Sequence, residues 1–430
     1  MDTSFPETNY PLTFRQSDAK VLGQHLKLRH SVELVGMKRV GISNFLRFFL
    51  NKKGVDEEYI DQKESHFFVT VDLNDLVEIE LFPFWILTFK RLMDRIPVLP
   101  VPETVKKEIS TLFLDAIQSQ DLFMTVDALR KSLILICENN VFPTLFLLRF
   151  DRIGPAVNDQ FYANLVGLRE ATAERLSYVF TSFRTLEQIA PQVFHRKLLS
   201  EFSHPVYLKP VEKEDFDISY GDLSRKYGFA DGPTMKQRLH ELTGGHIQYF
   251  QLAAITLGHK QETKVDGLLK VLEGDERIRY LAEELWESLG QDEQEALLKT
   301  HKGAKISPEE KQKAMYLWET GMVRENHKSH VFGELFEDSL KKHGKGTNGH
   351  DDKVEFTKKE HALYNFLLEQ IGEVCEREKI IESVWSEVED LGVSDWTIDR
   401  LVARLRTKLK KQGSKYQVVT VKTRGYKLTE

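Results

Sequence analysis

The sequence predicts an α/β domain with a parallel sheet, followed toward the C-terminus by small units of helices and a hairpin. Three observations predict it. Over about the first 260 residues, short apolar β-rich runs alternate with helical stretches. The runs are continuously apolar, as in strands buried on both faces of a parallel sheet. Beyond about residue 276 the order changes to helices followed by an apolar, polar-turn, apolar segment, and this order occurs twice.

The strands come first. Val32–Val35, Phe67–Val71, Leu145–Leu148, Tyr178–Thr181 and Val206–Leu208 are each short and bounded by polar or turn residues. Helical patterns between them give βαβ units. Phe82–Phe89 (FPFWILTF) is read as a buried helix. From Ile278, Tyr280, Leu281, Leu285, Trp286 and Leu289 recur at helical spacing, and a second helix spans Asp292–Leu298. AMYLWETGMV then leads through NHKSH into VFGELFEDSL, a small winged-helix pattern. Lys341 to Asp352 has no apolar residue and reads as a linker. After it come a short β-rich run at Val354–Phe356 and a Thr357–Glu360 capping box. Helices over Lys358–Ile371, Glu376–Val388 and Asp395–Lys411 lead to β-rich runs at Tyr416–Val421 and Tyr426–Leu428. The expected domains are 1–210 (parallel-sheet domain), 211–275 (helical lid), 276–342 (middle winged helix), 343–352 (linker) and 353–430 (C-terminal winged helix).

Composition narrows the function. A chain of 430 residues is roughly three domains at about 150 residues each. The net charge of −6 excludes a uniformly basic nucleic-acid coat protein, so any such role must sit in a local patch. Two cysteines, Cys137 and Cys375, exclude a disulfide scaffold and a multi-cysteine zinc site. The first residues lack a signal-peptide pattern. The strongest apolar run, Leu81–Phe89, is about half of a membrane span. A soluble, cytoplasmic protein with no membrane partner is expected. The fourteen histidines are scattered without ligand spacing, so no metal site is expected, and no catalytic constellation is recognisable.

The C-terminal unit carries the strongest signal. Arg400 to Lys427 holds six lysines, four arginines and no acid, whereas Asp351 to Asp399 holds fourteen acids and five bases. One side of a near-neutral domain is therefore expected to be positive, the footprint of phosphate binding. Ile398, Leu401, Val402, Leu405 and Leu409 make an apolar helix face. Thr397, Arg400, Arg404, Lys408 and Lys411 follow at steps of three and four on the other side. A helix presenting such a row fits the major groove of duplex DNA. Trp396 stands at its start, and Lys415, Lys422 and Arg424 decorate the terminal hairpin, where they are expected to meet phosphate or the minor groove.

FTKKEHALYNFLLEQIGEVCEREKIIESVW, DWTIDRLVARLRTKL and VVTVKTRGYKL resemble the winged-helix effector domain of the OmpR/PhoB transcriptional regulators. The resemblance covers Lys353 to Leu428. It implies that Asp395–Lys410 is a recognition helix, that Val418–Leu428 is the wing, and that Trp385, Leu401 and Leu405 are core. The wing KTRGY departs from the family, which has an arginine followed by two glycines flanking a hydrophobic residue. No receiver domain with a phosphoacceptor aspartate is recognisable upstream, so phosphorelay control is not carried over.

After the first strand comes Gly36-Met-Lys-Arg-Val-Gly41-Ile42-Ser43, the frame of a phosphate-binding loop with isoleucine in the lysine position. Gly36 and Gly41 would let the loop wrap an anion, and Ser43 stands where a magnesium-ligand hydroxyl would be. Lys38 or Arg39 would have to replace the missing cation. With TLFLLRFDRI, LSYVFTSFRTL and LTGGHIQYFQLA, the region resembles the P-loop ATPases of the AAA+/STAND superfamily. The resemblance implies ATP or ADP with magnesium as cofactor and Asp151 near the nucleotide. It also makes Thr181, Ser182 and Arg184 sensor-like, and sets Gly244, Gly245 and His246 at a lid. Departures at Ile42 and Arg149 speak against hydrolysis.

The expected function is a transcriptional regulator that binds double-stranded DNA through its C-terminal winged helix, with a degenerate P-loop module controlling it through nucleotide or conformational state. Self-association is a further expected partner relation. The alternatives are a signalling ATPase that oligomerises on a trigger, and a scaffold whose winged helices bind protein.

Overall fold

The computed structural model describes residues 5–60, 65–195, 199, 202–229, 232–260, 264–326, 328–343, 356, 358–384, 395–421 and 424–430. The chain divides into two compact units, Met1–Lys341 and Lys342–Glu430.

The first unit is built on a five-stranded sheet of β1 (Ser31–Val35), β2 (Ser65–Asp72), β3 (Val141–Leu148), β4 (Ser177–Ser182) and β5 (Ser203–Tyr207). Every pairing is parallel and the order is β2-β3-β4-β1-β5. The central strands β1 and β4 are buried at every position, which fits their largely apolar sequences; the one carboxylate, Glu33 of β1, accepts hydrogen bonds from the Leu186 N–H and the Ser203 hydroxyl. Strand β3 starts at Val141, ahead of the expected Leu145, and contains Pro143. Pairing with β4 begins only at Thr144, so the proline lies where β3 has a neighbour on the β2 side alone.

The helices on and after the sheet are α1 (Gln16–Lys27), α2 (Ile42–Asn51), α3 (Val55–Tyr59), α4 (Leu81–Arg95), α5 (Glu103–Ser119), α6 (Leu122–Glu138), α7 (Asp159–Ala171) and α8 (Leu186–Ile189). In α4, Phe84, Trp85 and Phe89 are buried, and Phe84 meets Phe161 of α7 edge-on at 5.0 Å. Among the described residues no helix is long and apolar enough to cross a membrane.

Among the described residues, the rest of the unit is helical apart from one hairpin. It comprises α9 (Lys213–Tyr227), α10 (Pro233–Thr243), α11 (Ile247–Lys260), α12 (Leu268–Glu273), α13 (Glu276–Glu287), α14 (Gln291–His301), α15 (Pro308–Lys313), α16 (Met315–Glu319), the antiparallel pair β6 (Val323–Asn326) and β7 (Lys328–Val331), and α17 (Glu334–His343). Gly244, after α10, and Gly333, before α17, both have positive φ (58° each). A Cβ on Gly333 would lie 2.7 Å from the Gly244 nitrogen, so only glycine permits this backbone contact.

The second unit orders α18 (Lys358–Glu369), β8 (Cys375–Glu376), α19 (Arg377–Val384), α20 (Asp395–Lys411), β9 (Gln417–Val421) and β10 (Gly425–Thr429). Its core gathers Leu363, Leu367, Ile380, Ile398, Leu401, Leu405, Val418 and Leu428. Strand β10 pairs antiparallel with both β9 and β8. The two-residue β8 is too short to be legible in the sequence. It accounts for the glycine of KTRGY: a Cβ on Gly425 would stand 2.0 Å from the Cys375 carbonyl oxygen. Of the expected linker 343–352, residue 343 still belongs to α17; residues 344–352, residues 354–355 of the expected run Val354–Phe356, the cap at Thr357 and the core position Trp385 lie outside the described residues.

Candidate nucleic-acid interface and nucleotide loop

In the second unit the apolar face of α20 is as expected. Ile398, Leu401, Val402 and Leu405 are fully buried and Leu409 nearly so. The basic residues are arranged differently from the expected outward row. Arg404 Nε lies 3.0 Å from Glu360 Oε1, and Lys408 Nζ lies 2.5 Å from Glu360 Oε2. Glu360, on α18, has no exposed surface. Residues 404 and 408 flank the apolar face one turn apart, so their side chains bend toward α18 instead of standing away from the domain. Both were expected as groove-facing cations; in the structure each pairs with Glu360 and keeps part of its side chain exposed. Arg406 is also engaged internally, donating from Nε to the Val418 carbonyl (2.6 Å) and from Nη2 to Thr420 Oγ1 (2.8 Å).

The side of α20 open to solvent contains Thr407 and Lys410, with Ala403 partly covered. Helical register puts positions 396, 400 and 411 along this same side. The side chains of Trp396, Thr397, Arg400 and Lys411, and residue Lys422 altogether, lie outside the described part. Lys415 is exposed and pairs with Glu430 Oε1 at 2.6 Å. Arg424 is exposed at the β9–β10 turn, where its backbone N–H closes onto the Val421 carbonyl at 3.1 Å.

In the first unit, residues 36–41 join β1 to α2 at the C-terminal edge of the sheet. The strand order reverses at β1, which stands between β4 and β5. Such a switch point is where open α/β sheets place ligands. Gly41 caps α2 with φ 111°, and Ser43 is exposed on its first turn. The interior of the loop is filled by protein. Met37 and Val40 are buried, and a Cβ on Gly41 would meet Ile247 Cγ2 at 3.0 Å. The Lys38 carbonyl accepts a hydrogen bond from His246 Nε2 at 2.9 Å. The Lys38 ammonium lies over the Phe183 ring, 4.7 Å from its centroid, and Arg39 Nε is 3.5 Å from Glu284 Oε2. Both candidate replacement cations thus have partners within the protein.

The remaining candidates follow the same trend. Asp151 sits in a short turn after β3, and burial pushes its carboxyl up against the opposing charges of Lys38, Arg152 and Arg149. Arg149, in the left-handed region at φ 58°, forms an ion pair with Asp72 at the end of β2. Its backbone N–H donates to Thr181 Oγ1 at 2.9 Å. Ser182 donates its hydroxyl to the Arg184 carbonyl. Arg184 runs away from the loop: its guanidinium bonds both oxygens of Glu293 (2.6 and 2.7 Å) and stacks over Tyr316 at 4.0 Å. Gly244 and Gly245 are pressed against Gly333 and Val211, not open toward a ligand. His246 is completely buried beside Phe332 and Tyr249, and burial lowers its pKa to about 4. Arg184 and the Gly244–His246 segment, expected as sensor and lid, thus make their described contacts with protein groups.

A magnesium-bound triphosphate needs a cation at the loop, an open cradle and an acidic partner for the metal. Ile42 supplies no charge, Ile247 packs against Gly41 and Val40 against Gly36, and burial raises the pKa of the Asp151 carboxyl. These residues do not fit that group.

Strand order and loop position make the first unit an open, parallel α/β fold with a glycine-containing loop at its switch point, and the helices followed by the β8-β10-β9 sheet make the second a winged helix. More particularly, residues 351–428 match the family model described as "Transcriptional regulatory protein, C terminal". The chain is also similar to the transcriptional regulatory protein YxdJ of Bacillus subtilis (strain 168), 33% identical over 78 residues, which are 18% of this chain and 33% of that protein. The chain therefore spans a third of the length of this curated relative. Among solved structures, the Walker-type ATPase PABY2304 of Pyrococcus abyssi aligns with a TM-score of 0.48 at 14% identity, over 77% of this chain and 99% of that one. The ORC2 protein of Aeropyrum pernix, described as ADPNP-ADP complexes, aligns with a TM-score of 0.43 at 12% identity, over 79% and 98%.

Proposed function

We propose that this protein is a cytoplasmic transcription regulator that binds duplex DNA through its C-terminal winged helix. The observation that carries the reading is the family match over residues 351–428, which contains α20 and the β9–β10 hairpin. The solvent side of α20 is the base-reading surface, with positions 396, 400, 403, 407 and 411 along the groove and Lys410 beside it. Arg424, with Lys422 and Lys415, meets phosphate at the wing. Arg404 and Lys408 hold the helix at its angle to α18 through Glu360. The N-terminal module acts as a P-loop-derived scaffold that sets the availability or self-association of the DNA-binding domain through its conformation. A bound effector can do this only by favouring one of two conformations.

Genome-wide selection of duplex fragments by the purified full chain, followed by anisotropy titration of the selected site, tests the reading. Specific duplex binding is expected, with log K falling against log salt at a slope of about −4, because each neutralised phosphate contributes about −0.9. Failure to enrich any duplex, or an affinity insensitive to salt, would sink it.

A further inference from the structure

Three histidines far apart in sequence converge at the N-terminal edge of the sheet, the edge opposite the 36–41 loop. His25 lies in the last turns of α1, His30 immediately precedes β1, and His204 is on β5 beside Val32. The Nδ1 atoms of His25 and His30 are 3.2 Å apart. The His204 ring lies 5.0 Å from that of His25 and 4.5 Å from that of His30, between centroids. One ligating nitrogen from each residue falls within 4.8 Å of the other two.

We propose that His25, His30 and His204 form a binding site for one divalent transition-metal ion of the zinc class. A zinc–nitrogen bond of about 2.0 to 2.1 Å in tetrahedral geometry puts ligand nitrogens about 3.3 Å apart. The His25–His30 spacing already matches, and small side-chain rotations bring His204 to the same distance. All three imidazoles are only partly buried, so an ion has a route in and a fourth position stays open for water. Purely nitrogen ligands select zinc, copper, nickel or cobalt over magnesium or calcium, which take oxygen.

The frame is rigid where the ligands attach. Leu22 and Leu26 fix α1 by burial, and the His30 N–H donates to the His25 carbonyl at 2.9 Å. Arg169 is the cation facing His30, and it bonds Glu174 (3.1 Å) and the Phe202 carbonyl (3.2 Å), which offsets its repulsion of an ion. The bound ion would staple α1 and the edge strand β5 to the central strand β1. Scattered histidines with no ligand spacing pointed to no metal site; only the parallel pairing of β1 with β5 brings His204 to His30.

The test uses the full chain and zinc alone. Calorimetric titration of metal-stripped protein is expected to show one equivalent bound, with a zinc-dependent rise in melting temperature. His204→Ala and His30→Ala are each expected to weaken binding by at least roughly tenfold, on the scale known for perturbed metal sites. His259→Ala, an exposed histidine on α11, leaves it unchanged. Cobalt(II) on the unaltered chain gives the visible absorption of a four-coordinate site of three imidazole nitrogens and one water, a readout that stands even where a variant fails to fold. No zinc equivalent, an octahedral cobalt spectrum, or equal loss in His259→Ala overturns the proposal. Imidazoles held by hydrogen bonding and stacking alone would give the first of these results.

Discussion

Arg404 points its guanidinium at Glu360, 3.0 Å from Nε to a carboxylate oxygen, and Glu360 has no exposed surface. Lys408 takes the other oxygen. Two cations from one helix thus hold a buried anion on another, and the pair orients α20 against α18.

Removing that anion's partners therefore acts on the fold before it acts on DNA. Arg404→Ala combined with Lys408→Ala strands a buried carboxylate, and we expect a loss of about 3 kcal/mol from the second unit. Glu360→Gln should cost a similar amount. Chemical denaturation of the full chain, followed by a probe in residues 356–430, measures both. An unchanged transition would show that the ion pair does not orient the helix.

Lys410 and Arg424 behave oppositely. Both are exposed, so Lys410→Ala and Arg424→Ala are expected to leave the melting temperature unchanged. Each should weaken duplex binding across sequences and reduce the salt slope by about 0.9. Anisotropy titrations at several salt concentrations decide this.

His246 makes the first unit sensitive to acid. Its ring is buried and its pKa is about 4 in the folded chain, against 6.5 as the ordinary value. The unfolded chain therefore binds a proton that the native one does not as pH falls from 6.5 toward 4. Stability present in full above 6.5 is lost across that window, by at most about 3 kcal/mol. Urea unfolding across this window measures the slope, which His246→Gln should flatten.

Arg184 and Glu293 fasten the end of β4 to α14. Arg184 is 14% and Glu293 8% exposed, so Arg184→Met leaves a largely buried carboxylate behind. A loss of about 3 kcal/mol is expected. Faster amide exchange in α14 would accompany it, and protection equal to that of the parent would refute the clasp.

Adenine nucleotide should not stabilise this chain. A ligand that binds only the folded state raises the melting temperature with concentration. With Ile247 against Gly41 and no lysine at position 42, ATP or ADP with magnesium is expected to leave the melting curve where it is. A concentration-dependent rise would show that the loop opens.

Strands β1, β2 and β4 and helix α20 were legible because their apolar patterns are local. A run such as Tyr178–Phe180, apolar and buried throughout, reports burial on both faces without reference to its neighbours. Strand β8 was not legible, since two residues carry no period and their pairing to β10 is a long-range event. The candidate site was legible only as residue types. The row Arg400, Arg404, Lys408 and Lys411 is visible by spacing, but a spacing cannot say which cation has a buried carboxylate 48 positions away, as Lys408 has in Glu360.

The sequence alone determined the two classes of fold, the basic character of the C-terminal stretch and the loss of the P-loop lysine, because each is a property of neighbouring residues. Tertiary structure alone decided which charges are engaged and which are open. It also decided that Ile247 fills the loop and that His25, His30 and His204 share one corner of the sheet. Those outcomes depend on distances between segments that chain order leaves free, and packing and strand pairing set them.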